Sequence, residues 1–192
     1  MIGLLLALAA SFAKGEHLMA EHPEHPDPAD PSAALQLVQQ LANPDPVLAD
    51  AAVARIFHVG AQLTPQLLGL RGQAQPFMGF ALLNPRASML LPRPTPGQEL
   101  PPQQKYRVVT VEAAALYLVC AIQRGELHFS RSALLTDPAE PVAQRLVANT
   151  PERLDRAFLA AQAWLRLNAA DGSRAVTAGL GDPIAASGLR WY

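Results

Sequence analysis

The chain has 192 residues, 50% of them hydrophobic and only 16% charged, which excludes wholesale disorder and gives room for one domain with a real core rather than two. Aromatic residues make up 6% and the apolar share leans on alanine and leucine, so closely packed helices are expected rather than a β-sandwich. A formal net charge of −1 offers no electrostatic footprint for nucleic acid.

The first segment, Met1–Ala13 (MIGLLLALAASFA), is apolar but too short to span a bilayer as a helix. It ends in Ser11-Phe12-Ala13, a small-x-small pattern of the kind signal peptidase cuts. No Lys or Arg precedes the run, so the α-amino group is its only positive charge. The expectation is an export signal over residues 1–13, which places the mature protein in the periplasm or outside the cell. Without cleavage the protein stays cytoplasmic, and in either case the mature chain is expected to carry no transmembrane span. Of the 15 basic residues only Lys14 and Lys105 are lysine, and with the abundance of alanine and proline this fits a GC-rich bacterial genome.

Residues 14–31 form an acidic, His- and Pro-rich leader. Five acids (Glu16, Glu21, Glu24, Asp27, Asp30) face one base, Lys14, while residues 32–192 hold 14 bases against 11 acids. Pro23, Pro26, Pro28 and Pro31 exclude helix and sheet, so an extended, solvated tether is expected. His17, His22 and His25 sit among these carboxylates and are the chain's candidate metal ligands, for zinc, copper or nickel. Nothing in so flexible a stretch preorganises a coordination geometry, and the spacing departs from His-Glu-x-x-His, so no metal site is assigned.

The folded body is expected over residues 32–192 as a single domain. Ser32 reads as an N-cap, followed by Leu35, Val38, Leu41 and Ala42 at helical spacing, until Asn43-Pro44 stops the helix. Asp45 caps a second helix with Pro46 in its first position, where the missing N–H costs nothing. Ala49, Ala52, Val53, Ile56 and Phe57 line one face, Gly60 ends it, and Thr64-Pro65 starts a short third helix through Leu70.

Ala33–Gly60 resembles a single HEAT-type helical repeat, on Asp45-Pro46, Leu48, Ala52 and Ile56. Ala49 stands where that pattern usually has a basic residue, and no second copy follows. The resemblance implies a helical surface of the protein-binding kind; one repeat cannot form a solenoid.

Residues 71–105 lack periodicity, yet Phe77, Phe80, Leu82, Leu83, Met89, Leu90 and Leu91 are too apolar for a free loop. Arg93-Pro94-Thr95-Pro96-Gly97 and Pro101-Pro102 make a proline-rich connector with the composition of a polyproline ligand. Tyr106–Thr110 is a possible brief strand. Thr110 then caps a helix over Val111–Arg124, apolar on nearly every side and therefore central, which Gly125 ends. Thr150-Pro151-Glu152 starts the clearest helix, with Leu154, Ala157, Phe158, Ala161, Trp164 and Leu165 in one stripe and Arg153, Asp155, Arg156 and Arg166 facing outward. Trp164 is expected to be mostly buried against the Val111–Arg124 helix, and the Trp191-Tyr192 pair to dock on the body.

No nucleophile elbow, phosphate loop, dinucleotide fingerprint or Cys/His metal spacing is present, and Gly179-Leu180-Gly181-Asp182 lacks both a strand and a third glycine. The lone cysteine, Cys120, excludes an internal disulfide and reads as a buried core residue. His58 reads as a helix-end histidine. His128, near Ser130 and Ser132 and clustered with Arg124, Glu126 and Arg131, has no acid to orient it. The expectation is a mainly α, irregular helical domain with long Pro-rich loops and at most one or two very short strands. Functionally it is a non-enzymatic interaction or scaffold domain with a protein partner, no catalytic residues and no cofactor. The alternatives are a hydrolase-type enzyme around His128 and metal binding by the leader.

Overall fold

The computed structural model describes residues 30–77, 108–141, 149–169 and 181–192. The expected signal segment, the leader histidines His17, His22 and His25, the proline-rich connector and Gly179-Leu180 lie outside these residues.

The fold is mainly α, with helices α1 (Ser32–Leu41), α2 (Pro46–Val59), α3 (Thr64–Leu68), α4 (Val111–Arg124) and α5 (Pro151–Ala169). Two short strands, β1 (Leu135–Thr136) and β2 (Arg190–Trp191), pair antiparallel with Leu135 opposite Trp191 and Thr136 opposite Arg190.

The turn between α1 and α2 forms as its residues dictate. Asp45 accepts from the Val47 N–H at 2.9 Å, Asn43 accepts from the Asp45 N–H at 2.9 Å, and Pro46 opens α2. At the start of α1 the cap moves upstream. Asp30 accepts from both the Ser32 N–H (2.9 Å) and the Ser32 hydroxyl (2.7 Å), so Ser32 donates to a cap instead of being one. Thr64 departs from expectation in the same way. It is buried in helical conformation, with a 3-10 turn (Gly60–Leu63) leading into it, and makes no side-chain cap.

Helix α4 is the centre of the molecule, touching α1, α3 and α5. Thr110 accepts from the Ala113 N–H at 3.3 Å, and Gly125 ends the helix in left-handed conformation at φ 68°. Only Ile122 and Arg124 of its residues keep appreciable exposure, so nearly every face of the helix is covered. Of the expected strand before it, the described part makes one bridge, Thr110 with Pro76, while Phe77 N–H donates to Val109 at 2.7 Å.

Helix α5 begins as expected, Thr150 accepting from the Arg153 N–H at 3.3 Å, and buries Leu154, Ala157, Phe158 and Ala161. Trp164, expected to be mostly buried against α4, is mostly covered but lies outside the core cluster, while its stripe neighbour Leu165 packs against that cluster. One expectation on this helix is overturned. Arg153, expected to face outward, is buried: its guanidinium donates to the Leu135 carbonyl at 3.1 Å and pairs with the Glu140 carboxylate. The reason is a strand carbonyl that needs a donor inside the protein. Asn149 serves the neighbouring groups, accepting from the Leu135 N–H at 2.7 Å and donating to the Ala133 carbonyl at 2.8 Å. The chain's last two residues dock as expected. Tyr192 N–H donates to Leu134 at 2.9 Å, and its carbonyl accepts from Ser132 N–H at 2.8 Å.

Candidate functional site: a groove beside the terminal strand

Three segments far apart in sequence meet around Tyr117, which is wholly buried on α4 and donates its hydroxyl proton to the Leu127 carbonyl at 2.8 Å. Phe129 stacks on the Tyr117 ring at 4.8 Å, and Trp191 meets it edge-on at 5.3 Å. These are the offset and T-shaped arrangements that ring quadrupoles favour. The Arg124 guanidinium also lies over the Phe129 ring, 4.8 Å from its centroid, and pairs with Asp182 at 2.9 Å. Phe129 is thus in contact with both a tyrosine and an arginine of α4.

The tail from Asp182 is a tight turn. Asp182 also accepts from the Ile184 N–H at 3.1 Å, Gly188 turns the chain at φ 72°, and Arg156 donates to the Ser187 carbonyl at 2.8 Å. Between this turn, β2 and the end of α4 lies an open groove of about 520 Å³. Its walls are Arg124, Phe129 and Ser130 on one side, and on the other Asp182, Ala185 and the run Gly188–Trp191. The volume lies in the range that takes a drug-sized molecule or a few residues of peptide.

Below the groove lies Cys120, fully buried, its thiol 3.9 Å from the Asp182 carboxylate. Burial pushes this thiol far above the ordinary cysteine range, so it stays protonated and inert, in keeping with its reading as a core residue. Burial likewise raises the Tyr117 phenol.

The residues around His128 do not assemble as a unit. His128 is exposed on a turn and is not part of the groove wall. Arg124 turns to Phe129 and Asp182, and Arg131 turns to the Tyr192 ring, 5.9 Å away. Ser130 donates to the Ser132 carbonyl at 3.1 Å, and Ser132 is buried with its hydroxyl unpartnered. Among the described residues no three His, Cys, Asp or Glu side chains come together as a metal site requires. No helix among them is long and apolar enough to cross a membrane.

Sequence reading missed the pairing of Arg124 with Asp182 and the place of Arg190 and Gly188 in the groove wall. The one local signal was the terminal Trp191-Tyr192 pair, whose docking brings the tail back to α4. In comparisons with known proteins the chain matches no family model, no curated protein and no solved structure.

Proposed function

We propose that this protein is a non-enzymatic helical domain that binds another protein, with the groove beside β2 as its contact site. The observation that carries the reading is the groove wall itself: two arginines and two aromatic rings, the side chains enriched in protein interfaces, around an open cleft. A second feature favours the same class. Leu159 (53% exposed) and Leu167 (75% exposed) lie eight positions apart on α5, on one helical face and open to solvent. The HEAT-like reading of α1 and α2 belongs to this proposal, since Val47 and Leu48 are exposed at the mouth of that helix pair. So does export, supported by the sequence of residues 1–13.

The test is a photo-crosslinking amino acid placed at the exposed position 185, in the groove wall, and at the exposed position 139, on the turn after β1, as control, in the full chain expressed in its host. A discrete adduct to one protein from position 185 and none from position 139 is the expected result. Equal, diffuse labelling from both positions would remove the groove as a contact site.

A further inference from the structure

We infer that the groove takes an extended acidic peptide, which adds to the sheet as a third strand along the free edge of β2. The inference rests on reading the domain as a protein-binding module and names the chemistry and geometry of its partner.

The pairing register fixes which way β2 presents its main chain. Tyr192 N–H donates to Leu134, one step beyond the Leu135–Trp191 pair, so Leu135 and Trp191 face each other as a non-bonded pair. In such a pair the N–H and C=O of both residues point away from the shared ladder. On the β1 side this is visible: Leu135's two groups point outward, where Asn149 and Arg153 satisfy them. On the β2 side the equivalent groups of Trp191 have no partner among the described residues. Among the described residues, one strand edge is capped by two side chains and the other has no partner.

The groove lies along that open edge. Successive side chains of a strand point to opposite faces, yet Leu189, Arg190 and Trp191 all line the groove. Both residues of β2, Arg190 and Trp191, thus border the groove, together with Leu189 before them, and β1 occupies the opposite edge of β2. A guest strand there bonds to Trp191 N–H and C=O, as in other cases of strand addition to an exposed edge.

Charge selects the guest. Asp182 is already paired with Arg124, while the exposed Arg190 guanidinium has no partner among the described residues. An acidic side chain on the face that Arg190 occupies completes the pair, and apolar side chains alternating with it meet the Trp191 and Phe129 rings. A second copy of the chain is a poorer guest, because it carries another Arg190 into the same cleft.

The experiment titrates the full-length protein with a blocked pentapeptide alternating valine and glutamate, followed by amide NMR and fluorescence polarisation. Saturable binding that shifts the Trp191 main-chain amide is expected, with binding weakened at least about fivefold by Arg190→Gln, whose side chain is exposed and outside the core. Methylating alternate peptide nitrogens, which removes the donors, should abolish binding, and replacing the glutamates by lysine should weaken it at least about tenfold. Equal affinity for the methylated peptide would overturn strand addition while leaving a protein-binding groove intact. Equal affinity for the lysine peptide would overturn the acidic partner. No shift at Trp191, or self-association of the chain in place of peptide binding, would overturn the inference, whereas the protein-binding reading stands or falls on the position-185 crosslink.

Discussion

The Glu112 carboxylate accepts a hydrogen bond of 2.8 Å from the main-chain N–H of Gly72, joining the start of α4 to the turn after α3. Glu112 is a buried acid beside the Arg71–Asp155 ion pair. Burial raises its pKa above the ordinary 4.5; Asp155 adds to the rise, while the Gly72 bond and Arg71 oppose it. The fold therefore favours the protonated form. Its contribution to stability is fully present below about pH 4.5 and is lost as pH rises through the raised value. Glu112→Gln keeps an acceptor for Gly72 and does not titrate. Urea melts from pH 4 to pH 7 should show the gap between the two proteins moving in favour of the glutamine variant as pH rises. A gap that is flat, or moves the other way, would show that the Gly72 bond and Arg71 outweigh burial.

Asn149 is wholly buried and spans two main-chain groups, Leu135 N–H and Ala133 C=O. Asn149→Ala strands one donor and one acceptor in the interior, each costing roughly 1–3 kcal/mol, so a loss of about 3 kcal/mol is expected. Asn149→Asp keeps an acceptor for Leu135 but offers Ala133 no donor, and should be nearly as damaging at neutral pH. Chemical denaturation of both variants is the measurement, and a loss below about 1 kcal/mol for the alanine variant would mean that solvent replaces Asn149.

On α5 the aromatic residue at the heart of the core is Phe158. It is fully buried in the core cluster, whereas Trp164 is partly exposed and outside that cluster, so Phe158→Ala should cost about 3–5 kcal/mol and Trp164→Ala nearer 1–2 kcal/mol. Equal losses in urea melts would place Trp164 in the core after all.

Cys120 gives a direct probe of opening. Its thiol is buried and held protonated, so at pH 8 it should react with a disulfide reagent at least about a hundredfold more slowly in the folded protein than in urea. Trp191→Ala uncovers the groove side of this site and should speed the reaction of the folded protein. An unchanged rate would mean that Trp191 is not part of its cover.

The helices were legible because their signals are local. Asp45-Pro46, Thr110, Thr150 and Gly125 each act within a few residues, and the all-round apolar run of α4 marks a buried helix without knowledge of its neighbours. What escaped depends on distant partners. An arginine in the first turn of a helix looks solvated until Leu135, eighteen residues upstream, needs a donor for its carbonyl. Ser32 has every local mark of a cap, but Asp30 competes for its hydroxyl two residues earlier. The groove was hidden for the same reason, since Arg124 and Asp182 stand 58 positions apart and no short window contains both.

The pairing of Thr136 with Arg190 closes a loop of 54 positions, and this has a consequence for how the chain is made. During synthesis α4 leaves the ribosome well before β2 does, so Tyr117 and Cys120 spend that interval without the ring of Trp191 above them. Helical contacts formed early can bring α1 to α4 together, but the side of α4 that meets Asp182 and Trp191 is fully covered only when residues 182–192 have arrived. Chains halted between residues 169 and 189 should therefore expose a sticky helix face to chaperones, and emergence of residues 190–192 from the ribosome should end the exposure.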